Sequence, residues 1–167
     1  LWLNLATEGL QDIALAFEPP EGDVLDRKPL PRSEPILSRV LWERVAIAGL
    51  LAAIGTLLLF RWELDNSGSL TAARSVALTT LVIVEAFQVF NVRALWRSSF
   101  RVDPRSNPFL LFATLGGVAL HVIALYLPPT QYLLRLEPIS LEAWVRIVLV
   151  GVMVLLAVEV HKRLRRV

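Results

Sequence analysis

The 167-residue sequence has no cysteine, one methionine and two histidines. The lack of cysteine excludes disulfides, thiolate metal ligands and cysteine nucleophiles. Only 19% of the residues are charged, compared with about 25% in soluble domains. The formal net charge is +2, so the composition gives no support to a nucleic-acid partner. No phosphate-binding glycine loop, dinucleotide fingerprint or H-E-x-x-H zinc motif is present either.

Hydrophobic residues, in contrast, make up 55% of the chain. Soluble domains carry about 45–50% apolar residues, and disordered or collagen-like chains carry far fewer. This excess predicts an integral membrane protein. The chain starts at Leu1 without a charged leader, which we interpret as a piece of a longer protein.

Four apolar windows approach the roughly 20 residues that a helix needs to cross a bilayer. We predict membrane spans at 42–61, 72–92, 108–127 and 141–160. Aromatic residues lie near the predicted boundaries, as in membrane-interface belts: Trp62, Tyr126, Tyr132 and Trp144. Arg146 and Glu159 lie near the ends of the last span, where we expect their long side chains to reach the interface. The predicted fold class is therefore all-α, a polytopic transmembrane helix bundle.

The basic residues orient these spans. Thirteen of the 17 lie in residues 18–44, in 92–107 or in the tail after 160, and three lie in 61–74 and 128–142. The positive-inside rule then makes the segments 18–41, 93–107 and 161–167 cytoplasmic. The last of these is a basic tail. The first holds five of the ten prolines, so we expect an extended connector, either a solvated linker or a docking strap.

The leading segment, Leu1 to Phe17, is amphipathic. At 3.6 residues per turn its polar residues share one face: Asn4, Thr7, Glu8, Gln11 and Asp12. The pattern fits the start of a soluble amphipathic helix, a helix on the membrane surface, or a polar stripe that faces the interior of the bundle. Surface helices usually carry Lys or Arg, and this chain has none before Arg27.

Glu85 lies inside the second predicted span, ten residues after Ser75. A carboxylate at a helix centre costs about 2.5–3.5 kcal/mol on insertion scales. Glu85 must therefore be protonated, face a polar group, or hold a cation, and Gln88 and Asn91 extend its polar face. A protonated Glu85 that bonds a neighbouring helix is the structural alternative. His121 lies inside the third span, and we interpret it as a helix–helix hydrogen-bonding residue.

Carboxylate, amide and hydroxyl oxygens are the ligands that hard cations prefer. The chain supplies such a set, with possible secondary ligands in Asp12 and Gln88: Asn4, Thr7, Glu8 and Glu85. The lack of cysteine and of clustered histidine disfavours Cu(I) and Zn²⁺.

Three runs of sequence resemble the cation-pumping P-type ATPases. The opening run L-W-L-N-L-A-T-E-G-L is similar to their sixth transmembrane helix, whose usual pattern is L-W-x-N-L-x-T-D-G. The run D-R-K-P-L-P-R from Asp26 resembles the loop that follows that helix. The run V-E-A-F-Q-V-F-N-V-R from Val84 resembles their eighth helix. The resemblance covers the whole chain, as helices six to ten.

This resemblance implies a role for each predicted ligand. In calcium pumps of this family, the matching Asn, Thr and Asp of the sixth helix and a Glu of the eighth coordinate the transported ion. They correspond to Asn4, Thr7, Glu8 and Glu85. Glu8 replaces the common Asp, and Gln11-Asp12 stands where a Pro-containing pair is usual. The implied ion is Ca²⁺, with Mg²⁺, Na⁺ or K⁺ left open.

The resemblance also implies an ATP-driven enzyme with a phospho-aspartate intermediate. This chain has no D-K-T-G phosphorylation motif, so ATP and Mg²⁺ would bind to the N-terminal part of the same pump. That part and the lipid bilayer are the implied partners, in a bacterial-type plasma membrane. Two alternatives are a fragment of an ion-coupled secondary transporter and a non-transporting membrane scaffold. No pair of matching broken helices, typical of the former, is present.

Overall fold

The computed structural model describes residues 2–4, 9–20, 38–95 and 97–165. These ranges contain no strand, and their helices are α1 (Gly9–Leu15), α2 (Arg39–Ser67), α3 (Leu70–Val92), α4 (Pro108–Tyr126), α5 (Pro128–Leu134) and α6 (Leu141–Leu164). Two 3₁₀ turns, Ser99–Arg101 and Pro104–Ser106, connect α3 to α4. Four helices (α2, α3, α4 and α6) are long and apolar enough to cross a membrane. The predicted all-α membrane bundle is confirmed.

Each long helix begins at a residue whose side chain accepts a hydrogen bond from the first turn. These N-caps are Ser38, Ser69, Asn107 and Ser140. Such a cap satisfies a backbone N–H that has no partner within the helix. At the other end of α2, Gly68 adopts φ 68°, a left-handed conformation that favours glycine. The chain therefore turns from α2 into α3 within two residues.

The caps also explain where the helices depart from the predicted bounds. Hydropathy predicts the first span at 42–61, whereas α2 runs from Arg39 to Ser67. The polar residues after Phe60 continue the helix because the stop signal is Gly68. Residues 161–164, which we expected in a basic tail, extend α6 to Leu164.

The core of the bundle lies along α3. Eleven of its residues are buried, and it packs against both α2 and α6, which also pack against each other. The main apolar cluster joins α3, the end of α4 and α6, with Val76, Ile83, Leu125 and Ile147 among its buried members. Because α3 contacts three other long helices, a residue on α3 can be linked to most of the bundle.

Two glycines allow the helices to approach closely. A Cβ on Gly151 of α6 would lie 2.6 Å from Cδ2 of Phe87 and 3.2 Å from Cγ2 of Ile83, both on α3. A Cβ on Gly55 of α2 would lie 2.6 Å from Cγ1 of Val150 on α6. Small residues at such crossings let apolar helices pack in a membrane.

Substituting Gly151→Ala should lower the free energy of unfolding by about 1–3 kcal/mol, because the added methyl group overlaps the Phe87 ring. Gly49→Ala is the matched control, since nothing lies within 4 Å of its Cβ position. Both changes add the same helix propensity. Thermal unfolding of the detergent-solubilised protein measures the difference, and equal unfolding temperatures for the two variants would contradict the packing.

Candidate cation site and its anchors

Of the three predicted ligands Asn4, Thr7 and Glu8 on the leading segment, the structure describes only Asn4. Asn4 lies in a helical stretch and is exposed, whereas Thr7 and Glu8 lie outside the described residues. On α3, Glu85 is half-buried, and Gln88 one turn later accepts a hydrogen bond from Nδ2 of Asn91. The grouping of Asn4, Thr7, Glu8 and Glu85 into one cation site therefore stays a prediction.

Within α1 the two neighbouring polar residues point in different directions. Gln11 is buried at 3% exposure, whereas the predicted secondary ligand Asp12 is exposed. Within the described part of the chain, Nε2 of Gln11 has no hydrogen-bond partner. A buried amide without a partner costs free energy. Gln11 is thus a buried polar group that the sequence analysis did not include among the binding residues, and the oxygen of its amide, not the nitrogen, is the atom that could bind a cation.

Across 2–4, 9–20, 38–95 and 97–165, no three His, Asp or Glu side chains cluster into a metal site. The donors that remain for a cation are oxygens of amide and carboxylate groups, such as those of Asn4, Gln11 and Glu85. Such oxygens suit a hard cation.

The start of the leading segment is held through His121 of α4. The indole Nε1 of Trp2 donates to Nδ1 of His121 at 3.0 Å. Nε2 of His121 lies 2.9 Å from the hydroxyl of Thr79 on α3, and that hydroxyl donates to the Ser75 carbonyl. Because the indole can only donate, Nδ1 accepts and Nε2 carries the proton. His121, 1% exposed, is confirmed as a helix–helix hydrogen-bonding residue.

The other end of the leading segment is held by Glu18. Its carboxylate accepts hydrogen bonds from Nε and Nη2 of Arg93, which directly follows α3, both at 2.9 Å. Nδ2 of Asn107 donates to the same carboxylate at 3.0 Å and to the Ala14 carbonyl at 2.8 Å. Oδ1 of Asn107 caps α4 through the Leu110 N–H. One polar cluster thus joins α1, α3 and α4.

Apolar contacts support this polar cluster. Ala14 of α1 belongs to a buried group with Val89 of α3 and Leu110 and Ala113 of α4. These four side chains come from the same three helices as the polar contacts, so the end of the leading segment packs as part of the bundle.

A second buried ion pair lies at the end of α6. Nζ of Lys162 lies 2.8 Å from Oε1 of Glu159, and both side chains are less than 5% exposed. The Glu159 carboxylate also accepts from the hydroxyls of Ser98 and Ser99 and from the Ser99 N–H. Lys162 donates to the Asn91 carbonyl at 3.0 Å. The pair therefore fixes the α3–α4 connector to α6.

Our expectation that Glu159 reaches the membrane interface was wrong. Its carboxylate turns inward because Lys162 and the two serines satisfy it there. The acid–base spacing of three residues at the end of a helix was a signal for this pair. The serines are too far away in sequence for local spacing to indicate them.

A further polar contact joins Glu43 of α2 to His161 of α6. Nε2 of His161 lies 3.0 Å from Oε2 of Glu43, and Nη2 of Arg165 lies 2.6 Å from Oε1. This ion-pair group links the start of α2 to the end of α6. With the Arg93 and Glu159 clusters, it lies where most of the basic residues are found, and we call this the basic end of the bundle.

Residues 1–164 match the family model described as "Cation transporting ATPase, C-terminus". The chain belongs to this family. The match confirms the family that the opening motif and the eighth-helix run predicted, and it confirms an assignment to the C-terminal membrane domain of these ATPases.

Several named proteins are similar over nearly the whole chain. A "Probable cation-transporting ATPase F" of Mycobacterium tuberculosis is 32% identical over 167 residues, covering 100% of this chain and 18% of that protein. A "Calcium-transporting ATPase" of Bacillus subtilis is 34% identical over 149 residues, which are 89% of this chain and 17% of that protein. A "Calcium-transporting ATPase 3, endoplasmic reticulum-type" of Arabidopsis thaliana is 27% identical over 194 residues, 99% of this chain and 19% of that protein. The chain thus spans less than a fifth of these relatives.

Substituting Glu159→Leu should lower the free energy of unfolding by about 3–5 kcal/mol, because it leaves the Lys162 ammonium buried and unpaired. The double variant Glu159→Leu/Lys162→Leu should recover most of this loss, since an apolar pair replaces both charges. Arg163→Leu, at an exposed neighbouring position, is the control. Unfolding in detergent measures all three, and a double variant as unstable as Glu159→Leu would contradict the pairing.

Proposed function

We propose that this chain is the membrane part of an ATP-driven cation pump and that it supplies ligands for the transported ion. The observation that carries the proposal is the family match over residues 1–164, with relatives named as cation- or calcium-transporting ATPases. The polar stripe of the leading segment and Glu85 of α3 are the residues that this function needs.

The proposed ligands are Asn4, Thr7, Glu8 and Glu85, with Gln11 added from its buried position. The proposed ion is Ca²⁺, which takes six to eight oxygen ligands at about 2.3–2.6 Å. The side chains of this chain supply part of that number, and the remainder would come from backbone carbonyls, water and the rest of the pump. A bound cation would offset the cost of the two carboxylates within the hydrocarbon layer.

The ATP chemistry takes place outside this chain. Phosphorylation of an aspartate elsewhere in the pump would shift the leading segment and remove ligands from the ion. The carboxylates would then bind the cation more weakly and take up protons. In this scheme the basic end of the bundle faces the cytoplasm, in accordance with the positive-inside rule.

In the full-length pump, Glu8→Gln should abolish cation-dependent phosphorylation by ATP, because the ion loses a charged ligand. Glu85→Gln should raise the Ca²⁺ concentration for half-maximal phosphorylation by about tenfold or more, since affinity depends on the number of charged ligands. Incorporation of phosphate from labelled ATP, measured at increasing Ca²⁺, checks both changes.

Glu142→Gln is the matched control because its side chain is 80% exposed, and it should behave as the wild type. Unchanged Ca²⁺ dependence of phosphorylation in both the Glu8 and Glu85 variants would contradict the assignment of these ligands. Wild-type transport driven by an ion gradient, with no ATP-dependent phosphorylation, would instead identify a secondary transporter.

A further inference from the structure

We propose that Arg93 is a positioning residue for cation binding: its ion pair with Glu18 sets the register of the leading segment against α3. The expected consequence of this ion pair, a change in cation affinity, rests on the proposed function. The contact itself is independent of that function, because it is formed wholly by described residues.

The pair has the geometry of a strong, directional contact. Nε and Nη2 of Arg93 each donate to one oxygen of Glu18, both at 2.9 Å. The Arg93 side chain is 3% exposed and the Glu18 side chain 15%. A two-point arginine–carboxylate contact fixes orientation as well as distance. Because the pair is largely out of water, solvent screens it less than a surface ion pair.

Further hydrogen bonds hold both partners in place. Nη2 of Arg93 donates to the hydroxyl of Ser106 at 2.8 Å and to the Asp103 carbonyl at 3.3 Å. Asn107 donates to the Glu18 carboxylate and to the Ala14 carbonyl. A shift of the leading segment along its own axis would therefore break several contacts at once.

A second contact lies at the opposite end of the same segment. Trp2 reaches Thr79 of α3 through His121. Thr79 and Arg93 are separated by 14 residues, or about 21 Å of helix, and Trp2 and Glu18 are separated by 16 residues. The stretch of α3 from Thr79 to Arg93 and the leading sequence from Trp2 to Glu18 are thus similar in length, and a contact joins them at each end.

The predicted ligands fall between these two contacts. On α3, Glu85 lies between Thr79 and Arg93, and in the leading sequence Asn4, Thr7 and Glu8 lie between Trp2 and Glu18. A fixed register would keep the two groups of oxygens at a constant offset. Loss of the Arg93 contact leaves this end of the segment held only by Asn107 and by the apolar contacts of Ala14, so the offset between the two groups of oxygens is no longer fixed.

The test uses the full-length pump with Arg93→Gln, which removes the charge and the two-point contact. We expect the Ca²⁺ concentration for half-maximal ATPase activity to rise about tenfold, with the rate at saturating Ca²⁺ within about twofold of wild type. Arg97→Gln, at an exposed position in the same connector, should leave both values unchanged. Arg93→Lys keeps the charge but loses the two-point contact of the guanidinium, so it should give a smaller rise in the half-maximal Ca²⁺ concentration.

If Arg93 has a purely structural role, Arg93→Gln should lower the unfolding temperature and leave the Ca²⁺ concentration for half-maximal activity of the folded protein unchanged. That result overturns the proposal. If Arg93→Gln does not fold, Arg93→Lys decides by the same comparison. The double variant Glu18→Gln/Arg93→Gln replaces the ion pair by two amides that can bond each other, and it should recover part of the lost affinity.

Hydrogen–deuterium exchange of residues 9–20 separates this inference from the proposed function. In Arg93→Gln, exchange in this stretch should accelerate, whereas Arg97→Gln should match the wild type. Unchanged exchange overturns the anchor even in a pump that works. A wild-type protein that no cation stimulates overturns the proposed function, and the exchange measurement still reports on the contact.

Discussion

A buried arginine destabilises a fold unless its donors are satisfied, and Arg93 satisfies them by binding the residue that follows the leading segment. The stretch that it holds packs against α4 and, through Ala14, against Val89 of α3. The position of α1 therefore depends on contacts with α3 and α4. The ion pair with Glu18 is the most directional of these.

The same constraint accounts for several other polar groups of the interior. Glu159 and Lys162 pair with each other and with the connector serines, and His121 uses both ring nitrogens between Trp2 and Thr79. These groups hold helices together, and their hydrogen bonds are accounted for. Gln11 differs because its buried amide nitrogen has no partner among the residues that the structure describes. The amide oxygen of Gln11, and not this nitrogen, is the atom that could bind a cation.

Hydropathy, basic-residue asymmetry and the opening motif were enough to predict the bundle and its family. The ends of the helices were not predictable from hydropathy, because α2 stops at Gly68 and not at its last apolar residue. Periodicity placed Gln11 and Asp12 on the same polar face, but the structure buries the first and exposes the second. The Arg93–Glu18 pair joins residues 75 apart in sequence, which no local pattern indicates. Thr7 and Glu8 stay predictions.

The most direct measurement of the central claim is equilibrium binding of labelled Ca²⁺ to the full-length protein in the absence of ATP. We expect saturable binding by the wild type and a marked loss of binding in Glu85→Gln, because the proposed ligands on α3 and the leading segment would hold the ion before any phosphorylation. Equal binding by the two proteins, or no Ca²⁺ binding by the wild type, would contradict the claim that this chain supplies the ligands for Ca²⁺.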